Sequence, residues 1–112
     1  MIVVHGLKTC DTCRKALKAL RAAGHDAVLR DLRAEPTSAE EVAKWYAAFG
    51  SDLLNTRSTT WRGLSEAERT EAPKALMLAH PALVKRPVIV EGDRLLLGWS
   101  KETQAALSLR RH

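Results

Sequence analysis

The stretch "MIVVHGLKTCDTCRKALKALRAAGHDAVLRDL" switches between two hydrophobic periodicities, and that switching limits what the chain can become. Ile2, Val3 and Val4 open a short β-branched run closed by Gly6, the pattern of a buried strand. From Asp11 or Thr12 onward, Ala16, Leu17, Ala19, Leu20 and Ala23 recur at helical spacing, with Thr9 or Asp11 as candidate cap and Gly24 as stop. "DAVLRDL" then returns to strand character. Strand, helix and strand this close together make a βαβ unit, whose default is a parallel, right-handed crossover.

The remaining chain follows the same logic. "EPTSAEEVAKWYAAFG" predicts a helix capped by Thr37 or Ser38, with Glu40 and Glu41 at the positive end of its dipole and Gly50 at its stop. "DLLNTRSTTWRGL" reads as an irregular connector. Ser65 caps further helical turns, interrupted near Pro73 and ended before Pro81. "RPVIVEGDRLLLGWS" predicts a hairpin turning at Gly92 and Asp93, and "SKETQAALSLRR" a closing helix capped at Ser100. The order is βαβ, a helical block, then ββα. That is an α/β plan, a thioredoxin-like fold with an inserted helical subdomain at about residues 35–82. With no Gly/Ser-rich hinge to divide it, residues 1–112 are read as one domain.

Composition excludes several classes of function. The chain has 112 residues, 46% hydrophobic and 28% charged, which is globular rather than disordered. No apolar run approaches the roughly 20 residues that a membrane helix needs. The N-terminus lacks the charged lead and long apolar stretch of a secretory signal. Two closely spaced cysteines do not make a secreted disulfide framework. The expectation is a monomer in a reducing cytoplasm, with no membrane partner. A formal charge of +5 suggests anionic partners, but the basic residues are scattered and aromatics make up only 4%. Small anions or acidic proteins are expected, with no direct nucleic-acid binding.

Both cysteines lie in "CDTC", at the head of the first predicted helix. A thiolate is the reacting form of cysteine, and the free N–H groups and dipole of a helix N-terminus favour it. Cys10 sits where strand hands over to helix. Cys13, one turn further in, is close enough for a disulfide. Lys8, Arg14 and Lys15 add positive potential and Asp11 opposes it. Two other readings are two small apolar side chains packed under a helix, and half of a zinc site. The second lacks partners, because His5, His25, His80 and His112 show no paired ligand spacing. No metal is expected. Thr12 and Arg14, on either side of Cys13, are candidate substrate-binding residues. Arg86 precedes Pro87 at a strand start, where a cis bond can expose backbone to a bound thiol compound; a plain turn proline is the alternative. Arg57 is a candidate fork for an anion, or an ordinary loop arginine.

"HGLKTCDTCRKALKAL", "LLNTRSTTWRGL" and "KRPVIV…LLLGWS", spread over nearly the whole chain, resemble the arsenate reductase (ArsC)/Spx/YffB family. The resemblance implies a thioredoxin-like fold with an inserted helical subdomain, Cys10 as nucleophile, and an oxyanion-binding Arg86 beside a cis-proline, Pro87. Arsenate reductases coupled to glutaredoxin use two further arginines, and Asn55 and Gly98 stand at those places here. Weak arsenate binding is therefore expected. "LLNTRSTTWRGL" looks most like the YffB branch, which implies a glutathione-dependent thiol reductase. Such an enzyme holds no bound cofactor; glutathione or a small anionic thiol compound is its co-substrate and glutaredoxin a possible partner. The CxxC followed by "RK" also resembles Spx, a redox-sensing regulator that binds RNA polymerase. That is the alternative function, and arsenate reduction is the third.

Overall fold

The computed structural model describes residues 1–107. It resolves into two compact units, one of residues 1–35 and 86–107, the other of residues 36–85.

The first unit is built on a four-stranded sheet. Strand β1 (Ile2–Gly6), helix α1 (Asp11–Ala22) and strand β2 (Ala27–Asp31) form the βαβ unit, with β1 and β2 parallel from Ile2↔Ala27 to Gly6↔Asp31. The chain returns to this sheet as β3 (Val88–Glu91) and β4 (Arg94–Leu97), giving the order β2-β1-β3-β4. β3 runs antiparallel to β1, pairing His5 with Val88, and antiparallel to β4. The hairpin between them turns at Gly92, whose φ of 57° belongs to the left-handed region that a two-residue hairpin loop exploits. Ile2, Val4, Ala27 and Ile89 of the sheet, Leu20 of α1 and Leu107 are buried together, and Leu17, Leu29, Leu96 and Trp99 pack against them. Burying one such Leu or Ile stabilises the unit by about 1.5–3 kcal/mol. Ser100 caps helix α6 (Lys101–Ala106), accepting from the Thr103 N–H. The rest of the expected closing helix, residues 108–111, and His112 lie outside the described residues.

One cap differs from expectation. Neither Thr9 nor Asp11 caps α1: Cys10 itself is the N-cap residue, with extended backbone at φ −84° and ψ 118°. The N–H of Cys10 already bonds the Leu7 carbonyl at 3.0 Å, and this turn carries the sulfur to the helix start.

The second unit is helical. Ser38 caps α2 (Ala39–Phe49) in a reciprocal capping box with Glu41, and Gly50 ends it at φ 60°. The stretch expected to be an irregular connector is more ordered than that. A 3-10 turn at Gly50–Leu53 leads to a bridge between Leu54 and Val84, and Ser58 then caps a short helix, α3 (Thr59–Gly63). Arg69 fastens α3 by donating to the carbonyls of Trp61 and Arg62 while its guanidinium lies over the Trp61 ring. Ser65 caps α4 (Glu66–Arg69) in a second capping box. The helical turns break at residues 70–72, near Pro73 as expected, and Pro73 opens the next helix, α5 (Pro73–Ala79), which ends before Pro81. At a first helical position its missing N–H costs no hydrogen bond. Val42 and Trp45 of α2, Leu76 and Met77 of α5, and Leu53, Leu83 and Val84 are buried in this unit.

Candidate active site

The chemistry-bearing residues gather at the C-terminal end of β1. Three features shape the loop there. The Gly6 carbonyl accepts the Leu32 N–H at 2.8 Å. Asp31, opposite Gly6 in the sheet, accepts the Lys8 N–H at 3.2 Å through one carboxylate oxygen and the Arg33 N–H at 2.8 Å through the other. The Arg33 N–H, followed by those of Lys8 and Ala34 and the Lys8 charge, holds the Asp31 carboxyl below its usual range. Asp31 thus ties the segment leading to Cys10 to the end of β2.

Cys10 is partly exposed at the head of α1, and Cys13 is fully buried one turn in; both are free thiols. Burial disfavours the Cys10 thiolate, but the Cys13 N–H, the Cys13 thiol, the charge of Arg86 and the Thr12 N–H together outweigh it, so its pKa falls below the ordinary thiol value. The two amides belong to the second and third helical residues, which a capping side chain would satisfy. They act on the sulfur without forming a conventional capping bond. Cys13 is moved the opposite way, to about 11, chiefly by burial and further by its partner's sulfur, against the Leu7 N–H and Arg86.

Arg86 reaches this pair because β3 runs antiparallel to β1, so the start of one strand lies beside the end of the other. It is half-buried, and the Arg86–Pro87 bond is cis. Pro87 is buried, and its carbonyl accepts the Gly98 N–H at 2.8 Å.

The other candidates fall out differently. Thr12 contributes its backbone N–H rather than its exposed side chain. Arg14 does not add free positive potential: its guanidinium is paired with Asp11 on the helix surface. Arg57 belongs to the helical unit. There its N–H bonds Asn55 Oδ1 at 3.1 Å and its carbonyl accepts from Arg62. With Asn55, Thr56 and Lys85 it lines an open cavity of about 510 Å³. Gly98 lies at φ 79°, a conformation that side chains other than glycine's rarely tolerate. Among the described residues no three His, Cys, Asp or Glu side chains come together as a metal site. His5 is buried in β1 with Nδ1 3.4 Å from Arg30, and His25 bonds the Leu107 carbonyl at 3.2 Å.

Two residues of the site are missed by reading along the chain. Asp31 reads as part of a strand and Gly6 only as the end of one. A doublet of strand-ending residues facing each other across a parallel pair is the signal that could have found them.

The model of the ArsC family matches residues 5–107. An uncharacterized protein of Haemophilus influenzae is 39% identical over 96% of this chain and 100% of its own length. The global transcriptional regulator Spx of Bacillus subtilis is 28% identical over 91% of this chain and 82% of its own. Among solved structures, a YffB protein superimposes with a TM-score of 0.88 at 34% identity, covering 96% of this chain and 98% of that one. The α/β fold is thus the thioredoxin-like fold of these relatives, and the chain belongs to the ArsC family.

Proposed function

We propose that this protein is a cytoplasmic, glutathione-dependent thiol reductase with Cys10 as nucleophile and Arg86 as the group that holds an anionic part of the substrate. The observation that carries the reading is the opposed tuning of two neighbouring thiols, Cys10 downward and Cys13 up to about 11. A nucleophile must ionise near neutral pH, and its neighbour must stay protonated to donate to it.

For a glutathione mixed disulfide, the Cys10 thiolate attacks the glutathione sulfur and expels the other thiol as thiolate. A Cys10–glutathione disulfide forms. A second glutathione, attacking as its thiolate, releases oxidised glutathione and restores the Cys10 thiolate; its proton goes to the expelled thiolate. Two glutathione equivalents thus leave as one oxidised glutathione, one of them supplied by the substrate. In a side branch Cys13 attacks Cys10 in the adduct, giving a Cys10–Cys13 disulfide and free glutathione. Burial keeps Cys13 protonated, so this branch is the slower one.

The test is a panel of a glutathione mixed disulfide, a general disulfide and arsenate, each with and without glutaredoxin. Turnover of the mixed disulfide, abolished by Cys10→Ser, is the expected result; no turnover of any of the three removes the reading. The similarity to Spx supports a second function, a redox-sensing regulator that binds RNA polymerase. Co-purification with RNA polymerase that depends on the oxidation state of the cysteines, without turnover, would select it.

A further inference from the structure

Gly6 ends β1, paired with Asp31 of β2, and has no left-handed backbone to explain it; the positive-φ glycines are Gly24, Gly50, Gly92 and Gly98. What it offers is space. A Cβ at Gly6 would overlap the Cys13 sulfur and lie 3.3 Å from the Cys13 Cβ. Among the described residues, nothing lies within 4 Å of that position at any other glycine. The Cys13 thiol therefore rests on bare backbone at the end of β1, fully buried, and as the i+3 neighbour of Cys10 it lies on the same face of the helix start.

We propose that Gly6 is the positioning residue that keeps the Cys13 thiol beside the Cys10 sulfur, by leaving unoccupied the volume that any side chain at this place would take. The proposal rests on the reading of Cys10 as the reacting thiol. Backbone movement is not an easy escape from the overlap, because Gly6 is paired with Asp31 and its carbonyl holds the Leu32 N–H at 2.8 Å. Cysteine has a single side-chain torsion, so the cheapest response is a swing of the sulfur into another rotamer. That swing withdraws the thiol donor from Cys10 and leaves the two helix amides and Arg86 to stabilise the thiolate alone.

The experiment compares the wild type with Gly6→Ala, Cys13→Ala and the double variant, following iodoacetamide labelling of the Cys10 peptide by mass spectrometry across pH. A merely structural glycine would leave the labelling midpoint in place. The expected result is an upward shift of about one pH unit in Gly6→Ala, the worth of one hydrogen bond to a charged sulfur. Cys13→Ala should give the same shift, and the double variant no further one. Should Gly6→Ala fail to fold, the double variant, in which the obstructing sulfur is gone and only the 3.3 Å contact with the residue 13 Cβ remains, folds with the midpoint of Cys13→Ala. The proposal is overturned by an unmoved midpoint in either single variant, by a further shift in the double variant, or by unfolding of both Gly6 variants. Labelling does not depend on turnover, so absence of reductase activity would sink the proposed function without touching this result.

Discussion

Cys10 caps α1 and Cys13 lies one turn behind it, and the interaction between the two thiols favours the Cys10 thiolate while helping to hold the Cys13 thiol protonated. Two chemically identical groups one helical turn apart are thereby moved in opposite directions. Their difference comes from position: Cys10 is the N-cap residue and partly exposed, Cys13 is wholly enclosed behind it.

Cys10 should label faster than Cys13 at every pH between about 6 and 9, with a midpoint below the ordinary thiol value of about 8.5. Cys13, pushed up to about 11, should remain unlabelled over that range in the folded protein. Faster labelling of Cys13 would reverse the assignment of nucleophile. The measurement is site-resolved alkylation against pH.

Arg86→Gln keeps much of the side-chain volume and removes the charge. Because that charge favours the thiolate at Cys10, the labelling midpoint should rise. A charge-assisted hydrogen bond to an anionic substrate is lost as well, so kcat/KM for such a substrate should fall about tenfold or more. An unchanged KM and an unchanged midpoint together would place Arg86 outside the site.

Cys13→Ser should retain turnover of glutathione adducts and lose the ability to form an internal disulfide. In the wild type, diamide treatment should remove two hydrogens from the mass without producing a dimer. In the variant, a Cys10–glutathione adduct should accumulate when glutathione is scarce. Full loss of turnover in Cys13→Ser would mean that the internal disulfide is an obligatory intermediate.

On the family resemblance, which implies arginines at the positions that Asn55 and Gly98 occupy in this sequence, arsenate turnover should be weak. Asn55→Arg should raise arsenate affinity, at the expense of the bond from the Arg57 N–H to Asn55 Oδ1. Gly98→Arg is a different case: at φ 79° the new side chain forces strain of about 1–2 kcal/mol, so the melting temperature should fall. Binding titrations and thermal melts separate the two effects. Robust arsenate reduction by the unaltered protein would contradict this expectation.

Asp31 gives a pH signature on the acid side. Its pKa in the folded protein is depressed, so its contribution to stability is present above the unfolded carboxylate value of about 3.9 and is lost as pH falls through the folded value. Asp31→Asn should remove that part of the acid-side slope in denaturation curves, and should also loosen the segment from Leu7 to Cys10. A slope identical to wild type would show that Asp31 does not tie this loop.

The local parts of this protein were legible in its residues. The βαβ unit, the caps at Ser38, Ser65 and Ser100 and the turn at Gly92 each depend on residues a few positions apart. So does the placing of two cysteines at a helix N-terminus, because hydrophobic period and capping chemistry act over one or two turns. Three things were decided only in the tertiary structure. The antiparallel pairing of β1 with β3 brings Arg86 close enough for its charge to act on both cysteines, a matter of strand register between distant segments. The ion pair with Asp11 takes up Arg14, which along the chain reads as one more positive charge near the thiols. The Cys13 sulfur occupies the space over Gly6, so a glycine that reads as the end of a strand is shaped by a side chain on the following helix. Such contacts depend on how two elements are packed, and close packing leaves room for one side chain where sequence spacing alone would allow several.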